Sequence, residues 1–212
     1  FRDADGHPPR HTFFFPAEDC CDDFLTPLAE LTAAGLGEVE IHLHHSDDTP
    51  DSLHTKLMAF RDRLRNDYGL LGSDPRGRPR YAFIHGNWAL CNSLPNGDWC
   101  GVNEELGVLA ATGCYADFTF PAVPSPAQPH MVNCIYRAAD RPGRPRGHDR
   151  GTEVRAFKRG MRNAECGTQK AECRTRERIM GEGEVRNGKY GAWQAAPVHG
   201  QPSGLLLIPG PL

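Results

Sequence analysis

The chain has 212 residues, of which 39% are hydrophobic and 24% charged, and this composition indicates one globular domain or one and a half. No apolar run approaches the roughly 20 residues that a membrane helix needs, so we expect no membrane span. The net charge of −3 is unevenly distributed: residues 1–136 carry 9 Lys and Arg against 19 Asp and Glu, whereas residues 137–189 carry 15 against 8.

Alternating strand and helix patterns follow one another along the first 136 residues. Period-two alternation and short apolar runs predict strands over residues 11–15, 38–44, 80–85, 115–120 and 131–136, and a last one over 205–208. Apolar residues three and four apart predict helices over residues 22–34, 50–68 and 103–112. This alternation favours an α/β fold with a parallel sheet or barrel, in which chemistry gathers at the carboxyl ends of the strands.

Residues 137–203 have a different composition from the rest of the chain. Proline and glycine crowd residues 141–147, and Arg, Lys and Glu then dominate to residue 189. We therefore divide the chain into an α/β core over 1–136, a basic irregular segment over 137–203 with a short helix over 171–180, and a final core strand over 204–212. The basic segment could bind nucleic acid, but it has few aromatic residues and no recognition motif, so a nucleic-acid partner is not expected.

The two ends of the chain and its cysteines bear on its origin. The chain begins at Phe1 without a methionine and ends just after an apolar run, so we expect it to be cut from a larger domain. No signal peptide is visible, which favours a cytoplasmic protein, and a longer N terminus would reopen that expectation. The eight cysteines contain no CxxC pair, so we expect reduced thiols and no zinc knuckle.

A cluster of histidines stands at the end of the predicted strand 38–44. His42 and His44 are two residues apart and therefore share one face of the strand, and His45 follows them. Imidazole nitrogens are common zinc ligands, and carboxylates such as those of Asp47 and Asp48 complete such sites. The cluster predicts a metal site, and a polar strand face with incidental histidines is the alternative.

Two further segments carry candidate functional side chains. The strand 80–85 ends in His85, a possible ligand or general acid or base, and is followed by Asn87 and by Trp88, whose ring could stack on a sugar. Near the predicted helix 103–112, Asn103 could cap the first turn, and Glu104 and Glu105 complement the helix dipole. A satisfied strand-end histidine, a core tryptophan and purely structural glutamates are the alternatives.

Four stretches in this order resemble the polysaccharide deacetylase (NodB-homology) family. Residues 11–15 are similar to that family's second strand, and residues 37–48 are similar to its G-x-E-I-x-x-H-x-x-x-H segment, with Glu40, Ile41 and His44 in place and Asp48 on the second histidine. Residues 83–90 lie where the family has its F-R-x-P-x-G strand end. Residues 109–121 resemble its L-x-x-x-G-Y-x-Y-D-S-S-x-P stretch through Gly113, Asp117 and Pro121.

The resemblance implies a distorted (β/α) barrel, of which this chain could contain only a part, and hydrolysis of an acetyl group on a sugar by a divalent ion such as zinc. The expected metal ligands are His42, His44 and Asp48, and the expected substrate is a carbohydrate. We assign catalysis to His85 and Glu104, and substrate binding to Asn87, Trp88 and Asn103.

Several departures from the family pattern favour a second hypothesis, an inactive carbohydrate-binding domain on the same fold. The family's first aspartate motif should precede residue 11 by a whole element and so lie upstream of Phe1, and its last histidine strand should lie beyond Leu212. Asp48 replaces a histidine, and the arginine of the third motif is absent, with His85 nearby.

Overall fold

A computed structural model describes residues 2–154 and 204–210. These residues form a mixed α/β structure with an eight-stranded, mostly parallel sheet. The strands are β1 (His11–Pro16), β2 (Gly37–Leu43), β3 (Gly72–Ser73), β4 (Pro79–His85), β5 (Cys114–Asp117), β6 (Tyr136–Ala138), β7 (Gly151–Glu153) and β8 (Leu205–Leu207). The helices are α1 (Asp22–Ala33), α2 (Pro50–Tyr68) and α3 (Glu105–Thr112).

The order of strands across the sheet is β1-β2-β4-β5-β8-β6-β7. The pairs from β1 to β8 are parallel, whereas β6 is antiparallel to both β8 and β7, and β3 pairs antiparallel with β4. The sheet does not close among the described residues. The α/β class with a mainly parallel sheet is thus confirmed, and the barrel stays a prediction.

Helix α2 shows how the local sequence sets an element of this fold. Thr49 caps its N terminus by accepting a hydrogen bond from the Ser52 amide (3.2 Å), and Pro50 occupies its first turn. Gly69 ends the helix in the left-handed conformation, with a φ of 68°. One stripe of the helix is buried and consists of Leu53, Leu57, Phe60 and Leu64. The predicted bounds and stripe of this helix are confirmed.

Strand β2 carries the predicted alternation, with one modification. Val39, Ile41 and Leu43 are buried as expected. Glu40, on the opposite face, is also buried, and it accepts hydrogen bonds from the Ala82 amide and from the Tyr115 hydroxyl (2.9 Å). Burial raises the pKa of Glu40 to about 7, although both hydrogen bonds act in the other direction.

The predicted strand over residues 131–136 is wrong in its position. Asn133 has a φ of 55°, which interrupts an extended chain, and the strand begins only at Tyr136. The predicted irregular segment 137–203 contains the end of β6, a short 3₁₀ helix (Gly147–Asp149) and β7. Residues 155–203, which include the predicted helix over 171–180, lie outside the described residues. In the described part of the chain, no helix is long and apolar enough to cross a membrane.

Candidate metal centre

The carboxyl ends of β2 and β4 lie side by side, which brings their histidines to one edge of the sheet. Leu43 pairs with His85 in the parallel register, and the Gly86 amide donates to the Leu43 carbonyl (2.9 Å). The prediction that His44 and His85 lie at the same end of the sheet is confirmed. Two groups of candidate ligands form there, one partly exposed and one buried.

The partly exposed group consists of His42, His44 and Glu18. We call its two histidines the edge pair. His42 Nε2 lies 3.4 Å from His44 Nε2. The Glu18 carboxylate binds the other nitrogen of His44, Nδ1. The side chains of His44 and Glu18 are 46% and 44% exposed, so solvent reaches this group. Burial lowers the pKa of His42, and the neighbouring His44 acts in the same direction.

The backbone of Gly86 makes room for the His44 ring. A Cβ atom at position 86 would collide with three atoms of that imidazole. The glycine that follows β4 therefore has a steric role at the site, since any side chain there would displace His44.

Asp48, the third predicted ligand, interacts with a different set of groups. Its carboxylate accepts hydrogen bonds from Ser52 Oγ (2.6 Å) and Lys56 Nζ (2.8 Å), and one of its oxygens lies 3.2 Å from His45 Nδ1. Burial would raise the pKa of Asp48, but the bonds from Lys56 and Ser52 leave it lowered. Among the described residues, the structure thus pairs Asp48 with α2 and His45 and gives it no contact with the edge pair.

The buried group consists of His45, His85, Cys100 and Glu105, and we call it the buried quartet. One donor atom from each residue lies within 4.8 Å of the others, and the quartet could therefore hold a metal ion. Glu105 is central: its Oε1 lies 3.2 Å from His45 Nε2 and 3.9 Å from His85 Nε2, and its Oε2 lies 3.3 Å from Cys100 Sγ. His45 is 4% exposed and the other three are 0% exposed.

Separate parts of the chain position the members of the quartet. His45 follows β2, His85 ends β4, and Glu105 is the first residue of α3. Cys100 precedes α3 in a loop, and its sulfur accepts hydrogen bonds from the amides of Asn92 (3.3 Å) and Val102 (3.4 Å). The Cys91 amide donates to Glu105 Oε2 (2.6 Å).

Two ring nitrogens of the quartet lack hydrogen-bond partners among the described residues. They are His45 Nδ1, which is close to Asp48 without hydrogen-bonding geometry, and His85 Nε2. The other nitrogen of His85, Nδ1, accepts from the Asn87 amide (3.2 Å), so the proton of the neutral ring is on Nε2. Buried polar atoms are nearly always satisfied, so His85 Nε2, which lies 3.9 Å from Glu105 Oε1, marks a place where a ligand fits.

The charges inside the quartet follow from its burial. Burial would raise the pKa of Glu105, but His85, His45 and the Cys91 amide together lower it to about 2. Burial lowers the pKa of His85 to about 4, whereas the contact with Glu105 makes the net shift of His45 upward. Glu105 is therefore ionised and favours the protonated form of His45, whereas burial favours the neutral form of His85.

The remaining predicted site residues lie around these two groups. Asn87 Nδ2 donates to the His45 carbonyl (3.2 Å), and Trp88 is 51% exposed. Asn103 accepts from Asn92 Nδ2 (3.1 Å), and it does not cap α3, whose N-cap residue is Glu104. Glu104 accepts from the Gly143 amide (2.7 Å) and belongs to neither group of candidate ligands.

The sequence analysis missed Cys100 and Glu105 as candidate ligands. The cysteines contain no CxxC pair that would indicate a metal ligand, and a glutamate at the start of a helix has a sufficient structural role. The sequence offered one indication of these two ligands. Residues 98–105 lead directly into a helix, α3, whose first residue lies at the same edge of the sheet as His45 and His85. Without the pairing of strands, nothing in the spacing joins this segment to His45.

Comparison of the chain with protein-family models, with curated proteins and with solved structures finds no match. The resemblance to the polysaccharide deacetylases therefore depends on the four sequence stretches alone.

Proposed function

We propose that this chain is a metal-dependent hydrolase that removes acetyl groups from a carbohydrate, with the edge pair His42 and His44 as ligands of a zinc ion. The observation that carries the proposal is the 3.4 Å separation of the two Nε2 atoms at a solvent-exposed strand end. Two zinc-bound nitrogens, each about 2.1 Å from a tetrahedral ion, lie roughly 3.4 Å apart.

The contact between Glu18 and His44 supports the same proposal. A histidine that binds a metal usually donates its other ring N–H to a carboxylate, which fixes the ring and makes it a better ligand. Glu18 contacts Nδ1 of His44 and leaves Nε2 directed towards His42. The resemblance implies an aspartate as the third ligand, and Asp48, the aspartate that we expected, is bound to Ser52 and Lys56 of α2.

The open position of the edge pair suits a catalytic ion better than a structural one. Catalytic zinc sites keep a position for water or substrate, whereas structural sites are closed by four protein ligands. When bound, such an ion polarises a carbonyl and lowers the pKa of water. The chain itself supplies the two imidazoles and holds the His44 ring between Glu18 and the backbone of Gly86.

Exposed aromatic rings support a carbohydrate as the substrate. Trp88 and Trp99 are 51% and 58% exposed, and Trp88 lies two residues after Gly86, which contacts the ring of His44. Large exposed aromatic side chains with one open face are suited to stacking on a sugar ring.

An inactive carbohydrate-binding domain is the second candidate function. The specific observation in its favour is that Asp48, the residue at the family's second histidine, is bound to Lys56 and Ser52. Such a protein would bind glycan through its tryptophans and release no acetate.

Acetate release from acetylated oligosaccharides, measured with the wild type and with a His42→Ala/His44→Ala double variant, distinguishes the two functions. The hydrolase proposal expects zinc-dependent release that falls at least 100-fold in the double variant. His7→Ala is the matched control, because His7 is an exposed histidine that precedes β1. It therefore lies at the amino end of that strand, whereas the edge pair lies at the carboxyl end of the parallel strand β2. Glycan binding without release in the wild type would select the inactive domain instead.

A further inference from the structure

The geometry points to a second metal site in this molecule, a closed zinc site formed by His45 Nε2, His85 Nε2, Cys100 Sγ and one oxygen of Glu105. This inference goes beyond the proposed hydrolase, because it concerns other residues and an ion with a structural role. The four donors come from four separate parts of the chain, and an ion there would join the loop after β2, the end of β4, the loop before α3 and the start of α3.

The donor set matches a divalent ion in charge and in chemistry. Two neutral imidazoles, one thiolate and one carboxylate carry two negative charges, and these neutralise a divalent cation. Neutrality matters because the quartet is buried, and an uncompensated charge at 0% exposure would be strongly destabilising. Nitrogen and sulfur ligands in a four-coordinate set are typical of zinc.

The environment of Cys100 suits a thiolate that binds a metal. Its sulfur accepts two amide hydrogen bonds, from Asn92 (3.3 Å) and from Val102, two residues ahead (3.4 Å). Hydrogen bonds to the charged form favour it, although burial and Glu105 raise the pKa of this thiol. A bound ion deprotonates a coordinating thiol, which resolves this opposition.

The outer contacts of the other ligands follow the pattern of metal sites. The Asp48 carboxylate lies 3.2 Å from His45 Nδ1, so it can orient that ring with Nε2 towards Glu105. The Cys91 amide holds Glu105 Oε2 and leaves Oε1 facing both imidazoles. Both imidazoles must change, because an Nε2 atom can bind an ion only after losing its proton. His45 Nε2 and the Cys100 thiol release their protons to solvent, and the proton of His85 moves to Nδ1 when the Asn87 amide turns away.

Burial makes the site closed. All four side chains are shielded from solvent, and four protein donors complete a tetrahedral coordination. No position remains for water or a sugar, so the ion would stabilise the fold at the sheet edge and would take no part in hydrolysis. The edge pair, 46% exposed at His44, is the place where substrate reaches the protein.

The test replaces zinc with cobalt in the full chain and records the absorption of the thiolate-to-cobalt charge-transfer transition. In the wild type, the band is expected to have the intensity of a single cysteine ligand on about one cobalt per chain, whatever further cobalt binds at the edge pair. Cys100→Ser is expected to abolish it. Cys114→Ser is the matched control, because Cys114 is a buried thiol outside the quartet, and this variant should retain the band.

The same measurement separates this site from the edge pair. The His42→Ala/His44→Ala variant should keep the charge-transfer band, even if it loses an ion and all acetate release. A wild-type protein that binds cobalt without the band, or a band that survives Cys100→Ser, would overturn the inference. The wild-type spectrum alone decides the matter if Cys100→Ser fails to fold.

Discussion

At the scale of single residues, the sheet edge depends on side chains whose contacts are closely specified. His44 is held by Glu18 on one side and by the backbone of Gly86 on the other. His45, the next residue, faces inward to Glu105. Because adjacent side chains of an extended chain point to opposite sides, one short histidine run supplies both groups of ligands.

We expect Gly86→Ala to weaken metal binding by the edge pair. The added methyl group would collide with the ring of His44 and move Nε2 away from His42. The affinity for zinc should fall roughly 10- to 100-fold, as it does when the orientation of a ligand is disturbed. Gly72→Ala is the control, since nothing lies within 4 Å of a Cβ at that position. Equal zinc affinities for both variants, measured by competition with a chelator, would refute the steric role of Gly86.

The buried carboxyl of Asp117 at the end of β5 makes stability depend on pH. Burial raises its pKa to about 7, although Thr119 donates two hydrogen bonds to it. The folded state therefore retains a proton that the unfolded chain loses near pH 4. The free energy of unfolding should fall as the pH rises from about 4 to about 7, by at most about 4 kcal/mol.

Urea titrations at several pH values check this expectation with an Asp117→Asn variant. The asparagine cannot titrate, so the variant should lack the part of the pH slope that belongs to Asp117. A variant whose stability changes with pH in parallel with the wild type would show that Asp117 has an ordinary pKa in the folded protein.

At the scale of elements, α3 connects the buried quartet to a distant part of the chain. Its N-cap residue, Glu104, makes no capping hydrogen bond from its side chain. Asp140 performs this role from outside the helix by accepting bonds from the amides of Leu106 (3.1 Å) and Gly107 (2.6 Å). The start of α3, where Glu105 enters the quartet, is thus fixed by a loop 34 residues away.

Replacing Asp140 with alanine should therefore affect both stability and the quartet. Loss of a helix cap costs about 1–2 kcal/mol, and the unfolding midpoint in urea should shift accordingly. Glu104→Ala, which removes one exposed contact to Gly143, should cost less than about 0.5 kcal/mol. If the two variants are equally stable, Asp140 does not cap the helix.

The helices and the parallel strands could be predicted from the sequence because their signals are local. A cap, a glycine stop and an apolar stripe delimit α2, Gly35 follows the end of α1, and alternation identifies β2. The start of α3 and the position of β6 could not be predicted in the same way. They depend on Asp140 and on pairing with β8, which are contacts between residues far apart in the chain.

The candidate site likewise contains residues with a local sequence signal and residues without one. His42, His44 and His85 could be predicted because they stand at or just beyond strand ends, where a parallel sheet collects functional groups. The role of Asp48 could not be predicted, since its partners Ser52 and Lys56 come from the first turns of α2. Cys100 and Glu105 become candidates only when the loop before α3 is folded against His45 and His85.

At the scale of the whole molecule, the described residues contain two groups of candidate ligands, the accessible edge pair and the buried quartet. The accessible edge pair suits an ion that reacts, and the buried quartet suits an ion that stabilises. Both are at the carboxyl ends of parallel strands, which is the usual place for ligands in α/β folds. Metal binding at this edge is therefore the property on which the proposed function depends.

The most direct test is elemental analysis of the purified full chain beside the His42→Ala/His44→Ala variant, with His7→Ala as control. We predict bound zinc or another divalent ion in the wild type and in the control, and about one ion fewer per chain in the double variant. A wild-type protein without bound metal after dialysis against zinc, or a double variant with an unchanged metal content, would contradict the assignment of the edge pair as a metal site.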